Sequence, residues 1–172
     1  MDHLVGELLT LSRLEAGVGM PLEAVDLAEL LGDLLADARF EAAARNVAVD
    51  CQNLPNFSVR ANAELLHRAI ENVLRNALRF SPSGSAVVVE VTALDADRCR
   101  VAILDQGPGV EAAMLEEIFT PFIRGAGAGD GYGLGLAIAR RVLAASEGKI
   151  YAENRAGGGL RVVMEFPLEL PS

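Results

Sequence analysis

Three side chains with something to offer a ligand sit in one stretch, "HRAIENVLRNALRF" (67–80). Asn72, Asn76 and Arg79 fall at i, i+4 and i+7, so in a helix they share one face. Asparagine is a mediocre helix former, and two of them mid-helix need a reason. One reading is a solvated polar face. The other is a cleft wall, with amide oxygens for a hard cation and a guanidinium for phosphate. The second stretch is "ILDQGPG" (103–109), a hydrophobic strand that stops at Asp105 and is followed by Gly107 and Gly109. A carboxylate at a strand end can accept a hydrogen bond from an exocyclic amine, and glycines beside it leave room for a flat ligand. It can equally be an ordinary Asp–Gly turn. The third stretch is "DGYGLGL" (130–136), where Gly131, Gly133 and Gly135 alternate just before a run of helix formers.

That glycine stretch lacks the Gly-Lys-Ser/Thr of a Walker-type phosphate loop. It also follows a loop rather than a strand, which argues against a dinucleotide fingerprint. What remains is a glycine loop running into a helix N-terminus, where unpaired N–H groups and the helix dipole favour an anion. The dipole contributes only about 0.3–1 kcal/mol per charge. A triphosphate in a protein of net charge −9 needs more. A divalent cation and the guanidinium groups of Arg79 and Arg124 are the available supplements.

These residues must be held by a scaffold, and the chain predicts one. Leu4, Leu8, Leu11 and Leu14 are spaced for an amphipathic helix over 2–16, ended by Gly17, Gly19 and Pro21. It reads as lying outside the main body, its stripe awaiting a helix of another chain or of a segment beyond this one. A second helix is expected over 26–45 with Asp26 as N-cap. Short strands are expected at 47–53 and 57–60, around Pro55, then a helix over 62–80. A hairpin follows (85–94 with 98–105), then a short helix at 111–118, a glycine-rich loop at 123–132 and a helix at 134–147. A hairpin of 149–154 with 160–168 closes the chain. The sum is an α+β two-layer sandwich: a mixed sheet of about five strands with three main helices on one face.

Composition agrees with a packed domain. Of 172 residues, 51% are hydrophobic, with no tryptophan, so the core is aliphatic. The net charge of −9 argues against a sequence-independent grip on nucleic acid or anionic lipid. Cys51 and Cys99 lie in apolar stretches and read as reduced core thiols of a reducing compartment. No apolar run is long enough to span a bilayer, and no secretion signal is visible.

The three stretches stand in one order: N-x-x-x-N (Asn72, Asn76), D-x-G-x-G (Asp105, Gly107, Gly109) and G-x-G-x-G-L (Gly131 to Leu136). "IFTPFIR" (118–124) lies between the last two. Over roughly 22–168 this resembles the ATP-binding domain of sensor histidine kinases, with their N, G1, F and G2 boxes, a fold shared with gyrase, Hsp90 and MutL. "ELLTLSRLEAG" (7–17) resembles the end of the second helix of the dimerisation and phosphoacceptor domain. The phrasing as a whole is similar to Cpx-type envelope-stress sensors.

The resemblance implies a stub at 1–19 and a catalytic ATP-binding domain at 22–172. It implies Mg²⁺ on Asn76 with Asn72 in support, and phosphate contacts from Arg79 and Arg124. Asp105 would bond the adenine amine beside Gly107 and Gly109, with Phe80 lining the pocket. Phe119, Pro121 and Phe122 would anchor a lid, and Gly131, Gly133, Gly135 and Leu136 would wrap the triphosphate. Arg75, Val110, Ile123, Tyr132 and Leu134 complete the implied nucleotide set. Two departures stand out: a short lid, "GAGAGDGY" (125–132), whose only charge is Asp130, and "SEG" (146–148) where His-Gly-Gly is common.

Neither His3 nor His67 sits in the H-[E/D]-x-[R/K]-x-P context of a phosphoacceptor, so the resemblance places that histidine outside this chain. ATPase relatives carry a water-activating glutamate four residues before the metal-binding asparagine. Here that residue is Asn72, and Glu71 is rotated about 100° around the helix. The expectation is a histidine kinase module that takes Mg-ATP and hands phosphate to an imported imidazole. Its partners would be the phosphoacceptor helices of the same kinase and a response regulator. The module would be cytoplasmic, without direct membrane contact, and a monomer or weak dimer alone. The alternatives are a regulatory nucleotide-binding domain, or an ATPase of the same fold without histidine kinase activity.

Overall fold

A computed structural model of the chain describes residues 2–17, 21–52, 54–122 and 133–169. In chain order the elements are α1 (Asp2–Glu15), β1 (Glu23–Asp26), α2 (Leu27–Ala43), β2 (Ala48–Asp50), β3 (Ser58–Ala61) and α3 (Ala63–Phe80). Then come β4 (Ala86–Ala93), β5 (Arg98–Leu104), α4 (Gly135–Ala145), β6 (Lys149–Asn154) and β7 (Leu160–Pro167). Two single 3₁₀ turns, Ala112–Met114 and Glu117–Phe119, stand where one short helix is expected.

Five strands form the main sheet in the order β2-β4-β5-β7-β6. β2 runs parallel to β4, and the other pairs are antiparallel. Alternation sorts the two faces. Val87, Val89, Val101, Ile103, Val162, Met164 and Phe166 point to one side and join a single core with α2, α3 and α4. The other face mixes apolar residues such as Ala102 and Val163 with polar ones. One cross-strand row runs Thr92, Arg100, Glu165, Lys149, and Arg100 Nε and Nη2 both donate to Glu165 Oε2, at 3.2 and 3.0 Å. Burial alone would raise the Glu165 pKa; Arg100, Lys149 and the Tyr151 hydroxyl together hold it below the ordinary value. The sandwich therefore has two layers, with every helix on one side, as the sequence predicts.

Helix α3 is built to hold a site. Asn62 caps it, accepting from Leu65 N at 3.1 Å. Its inward stripe, Leu65 to Leu78, is buried, which fixes its rotation and so the direction of Asn72, Asn76 and Arg79. Asp26 caps α2 as expected, accepting from Glu29 N at 3.2 Å.

β2 and β3 do not share a sheet: β3 pairs with β1, a four-residue strand too short for periodicity to reveal. Helix α1, expected outside the main body, packs on this chain's own α4 and leaves Val5, Leu8 and Leu9 exposed. Leu11 is buried, Leu4 and Leu14 pack on the core, and Glu15 pairs with Arg141 at 3.7 Å. Thr10 Oγ1 also accepts from Arg68 of α3 at 3.0 Å. Glu147 occupies a left-handed conformation at φ +59 just past α4. That is where the common glycine of His-Gly-Gly would be at home, so the departure costs about 1 kcal/mol. Gly148 beside it is obligatory: a Cβ there would lie 2.3 Å from Glu165 O.

No disulfide joins the two cysteines; Cys99 is buried and Cys51 half-buried. Burial pushes the Cys99 thiol up to about 12, so it stays protonated and acts as a small core hydrophobe.

Candidate functional site

The long face of α3 runs between two glycine segments and touches both. Near its middle, Asn72 Nδ2 donates to Gly135 O at 3.1 Å, which ties the helix to the first residue of α4. One turn on, Asn76 Oδ1 accepts from Arg79 Nη2 at 3.2 Å. The Arg79 guanidinium lies 5.3 Å from the centroid of the Phe80 ring, a cation–π distance. At the helix end, the Phe80 carbonyl abuts Gly107, where a Cβ would come within 2.6 Å of it. The glycines at 107 and 135 thus both lie against α3, one at its end and one at its middle.

Asp105 is only 3% exposed. Its Oδ1 accepts from Gly107 N at 2.9 Å and from Leu160 N at 3.0 Å. Its Oδ2 takes no hydrogen bond among the described residues. Burial is the largest influence on this carboxyl and pushes its pKa up, against the two backbone donors and Arg155. A carboxylate with one oxygen taking two backbone donors and the other taking none from the described residues can receive a donor from a ligand.

The glycines beside it answer first to the protein itself. Gly107 is forced by Phe80 O, and Gly109, at φ +72, by Asn154 Oδ1, 2.6 Å from where a Cβ would sit. The loop they form is pinned on several sides. Gln106 Oε1 accepts from Ala86 N at 2.7 Å. Asn154 exchanges two hydrogen bonds with the Val110 backbone, and Arg155 donates to Asp105 O. Sequence reasoning missed Asn154 and Arg155. They lie in a hairpin turn some 50 residues downstream (|i−j| of 50 for the Arg155–Asp105 bond), and nothing in "ENRAGGG" marks that contact.

Helix α4 starts at Gly135 with Leu134 at its N-cap. Among the described residues no side chain caps its first N–H groups, which the helix itself cannot satisfy. Leu134 itself is fully buried, so its part is to anchor the segment; Leu136 is half-buried against the core. A Cβ on Gly135 would lie 3.6 Å from the Asn72 side chain, ordinary contact. Gly135→Ala should therefore fold well. It should melt at the same temperature or slightly higher, because alanine gains about 0.8–1 kcal/mol over glycine in a helix. The added methyl covers the Asn72 amide, so anion affinity should fall while stability does not. Paired melting and titration curves check this.

Phe119 is buried and stacks under Arg140, 5.9 Å from its ring centroid. Phe122 is 59% exposed at φ +69 and packs no anchor there; its N–H instead donates to Gly133 O at 2.9 Å. Arg75 is exposed and lines two grooves, one toward α1 that it shares with Asn72 and one toward α2. Glu71 lines the same two grooves, beside Asn72 in the first and with Asp37 and Glu41 of α2 in the second. Ile123, Arg124, Gly131 and Tyr132 lie outside the described residues.

Comparison with known proteins places this geometry. Residues 61–170 match the family described as histidine kinase-, DNA gyrase B-, and HSP90-like ATPase. The chain is 36% identical over 173 residues to the signal transduction histidine-protein kinase/phosphatase MprB of Mycobacterium sp. (strain KMS), covering 99% of this chain and 33% of MprB. It is 34% identical over 179 residues to the sensor histidine kinase CpxA of Escherichia coli (strain K12), covering 98% of this chain and 37% of CpxA. It thus spans about a third of the length of these relatives. Among solved structures, full-length ShkA in complex with AMPPNP superposes with a TM-score of 0.84 at 29% identity, covering 99% of this chain and 37% of that one. The mycobacterial sensor kinase MprB gives 0.76 at 28% identity, covering 86% of this chain and 97% of that one. Among the described residues no helix is long and apolar enough to cross a membrane. The chain belongs to the histidine kinase-, DNA gyrase B- and HSP90-like ATPase family.

Proposed function

We propose that this chain is the catalytic module of a sensor histidine kinase. It binds ATP along α3 and presents the γ-phosphate to a histidine on a phosphoacceptor helix, for relay to a response regulator. Residues 22–172 form the nucleotide-binding domain, residues 1–19 the end of a dimerisation helix, and the module works in the cytoplasm. The observation that carries this reading is that one helix, α3, contacts both glycine segments, through the Asn72 side chain at Gly135 and the Phe80 carbonyl at Gly107.

In this reading Asp105 Oδ2 accepts the exocyclic amine of adenine. The uncapped start of α4 and the Arg79 guanidinium meet the phosphates. Asn76 and Asn72 offer neutral amide oxygens one helical turn apart. That donor set fits magnesium, which takes few protein ligands and completes its shell with phosphate and water. Bound there, magnesium would neutralise phosphate charge.

The same residues favour transfer over hydrolysis. Asn72 cannot take a proton from water, and its Nδ2 is committed to Gly135 O. Glu71 stands one residue off that position, about 100° around the helix. Without a base, positioning and charge stabilisation carry the reaction, and these serve an imidazole already nucleophilic at neutral pH.

The test is transfer of labelled γ-phosphate from ATP to a separately supplied phosphoacceptor domain, beside a hydrolysis assay without it. Label on the acceptor histidine with negligible free phosphate supports the kinase. Free phosphate with no labelled acceptor supports the ATPase alternative, and ATP binding with neither supports the regulatory one.

A further inference from the structure

We propose that Asn154 and Arg155, at the turn between β6 and β7, are positioning residues that set the base specificity of the site by holding the 105–110 loop from behind. This rests on the reading that Asp105 receives the adenine amine. Asn154 Nδ2 donates to Val110 O at 2.6 Å, and Asn154 Oδ1 accepts from Val110 N at 3.0 Å. The carboxamide thus behaves as one more peptide group, pairing with both backbone groups of a single residue. Only an amide of this length does that: a carboxylate would set oxygen against the Val110 carbonyl, and alanine would release both bonds.

Beside it, Arg155 Nη1 donates to Asp105 O at 2.6 Å. The turn that carries Arg155 is closed by Arg155 N to Gly159 O at 2.9 Å and Gly158 N to Arg155 O at 3.1 Å. Gly159 lies so close under Asp105 that a Cβ there would be 2.1 Å from the Asp105 carbonyl. Leu160 completes the hold, accepting from Asp105 N at 2.9 Å and donating to Oδ1 at 3.0 Å.

Asn154 is exposed, so core packing does not account for these bonds. What they fix is the height and tilt of the loop that aims the Asp105 carboxylate. Adenine presents a donor at its six-position and guanine an acceptor. A carboxylate held rigidly accepts the first and repels the second; one free to rotate away repels neither. The clamp therefore acts on discrimination between bases and leaves the triphosphate end of the site alone.

The experiment titrates Mg-ATP, Mg-GTP and inorganic triphosphate into wild type, Asn154→Asp, Asn154→Ala, Arg155→Ala and Arg155→Lys, each first checked for folding by its melting curve. The expected result is an ATP preference in wild type that narrows by about tenfold in both Asn154 variants, as the loss of two hydrogen bonds allows. Arg155→Ala should narrow it less and Arg155→Lys should restore part of it, with triphosphate affinity constant throughout. Folded Asn154 and Arg155 variants that keep the full ATP preference overturn the proposal alone, however their melting points move. A wild type that binds GTP as well as ATP overturns the base-reading site and the clamp together.

Discussion

Asp105→Asn should bind ATP about a hundredfold more weakly than wild type and yet be the more stable protein at neutral pH. The binding loss follows from the swap of one atom. Asparagine can keep its oxygen on Gly107 N and Leu160 N, as Asp105 Oδ1 does at 2.9 and 3.0 Å. Its amide nitrogen then occupies the Oδ2 position and confronts the adenine amine, donor against donor. A charged hydrogen bond is replaced by an unsatisfied buried pair, worth about 2–3 kcal/mol, and each 1.4 kcal/mol is tenfold in affinity. Isothermal titration reads this directly.

The stability gain follows from the pKa. Burial, the largest influence, raises the Asp105 carboxyl above its ordinary value of 3.8. The folded protein therefore holds this proton more tightly than the unfolded chain does. Stability is lost as pH rises from 3.8 through the folded-state value, and the loss persists at pH 7. Asparagine carries no such penalty. The variant's advantage in urea midpoint should thus be full at pH 7 and shrink as pH is lowered through that window. A wild type more stable than Asp105→Asn at pH 7 would mean that the carboxylate is a structural element rather than a buried charge kept for a ligand.

How much of this was legible in the sequence depended on range. Asn72, Asn76 and Arg79 share a face because helical period alone puts them there, and the apolar residues between them fix which way that face turns. The caps at Asp26 and Asn62 obey local chemistry and could be read by eye. The fate of β3 could not, because its pairing with β1 is decided by tertiary packing across α2, not by the residues around Pro55. The seat of α1 is a related case. An amphipathic stripe announces that it needs a partner and not which one; α4, more than a hundred residues away, covers part of it and leaves Val5, Leu8 and Leu9 exposed. Gly107 and Gly109 were marked by type, but the atoms that demand glycine, Phe80 O and Asn154 Oδ1, come from distant segments. The resemblance implies Phe119 and Phe122 together as lid anchors; of the two, Phe119 is buried and Phe122 exposed.

Asn76→Ala should remove the effect of magnesium on ATP binding and lower phosphate transfer by about a hundredfold or more. In wild type, ATP affinity should drop when magnesium is withdrawn with EDTA. In Asn76→Ala the affinity should start near that reduced level, and EDTA should change it little. Two consequences of the substitution must be told apart, since Asn76 Oδ1 also holds Arg79 Nη2 at 3.2 Å. Alanine frees the guanidinium as well as removing a metal oxygen. Arg79→Ala leaves Asn76 in place, so it should weaken phosphate contact while preserving the EDTA response. The double variant should then lose less than the sum of the singles, because the two side chains act as one hydrogen-bonded unit. Asn76→Asp gives the opposite check. It keeps an oxygen for the cation and for Arg79 but adds negative charge near the phosphates in a chain already at −9. Its dependence on magnesium should therefore steepen, with ATP binding weaker than wild type in EDTA. An EDTA response unchanged in Asn76→Ala would detach magnesium from α3 and move the metal site elsewhere on the chain.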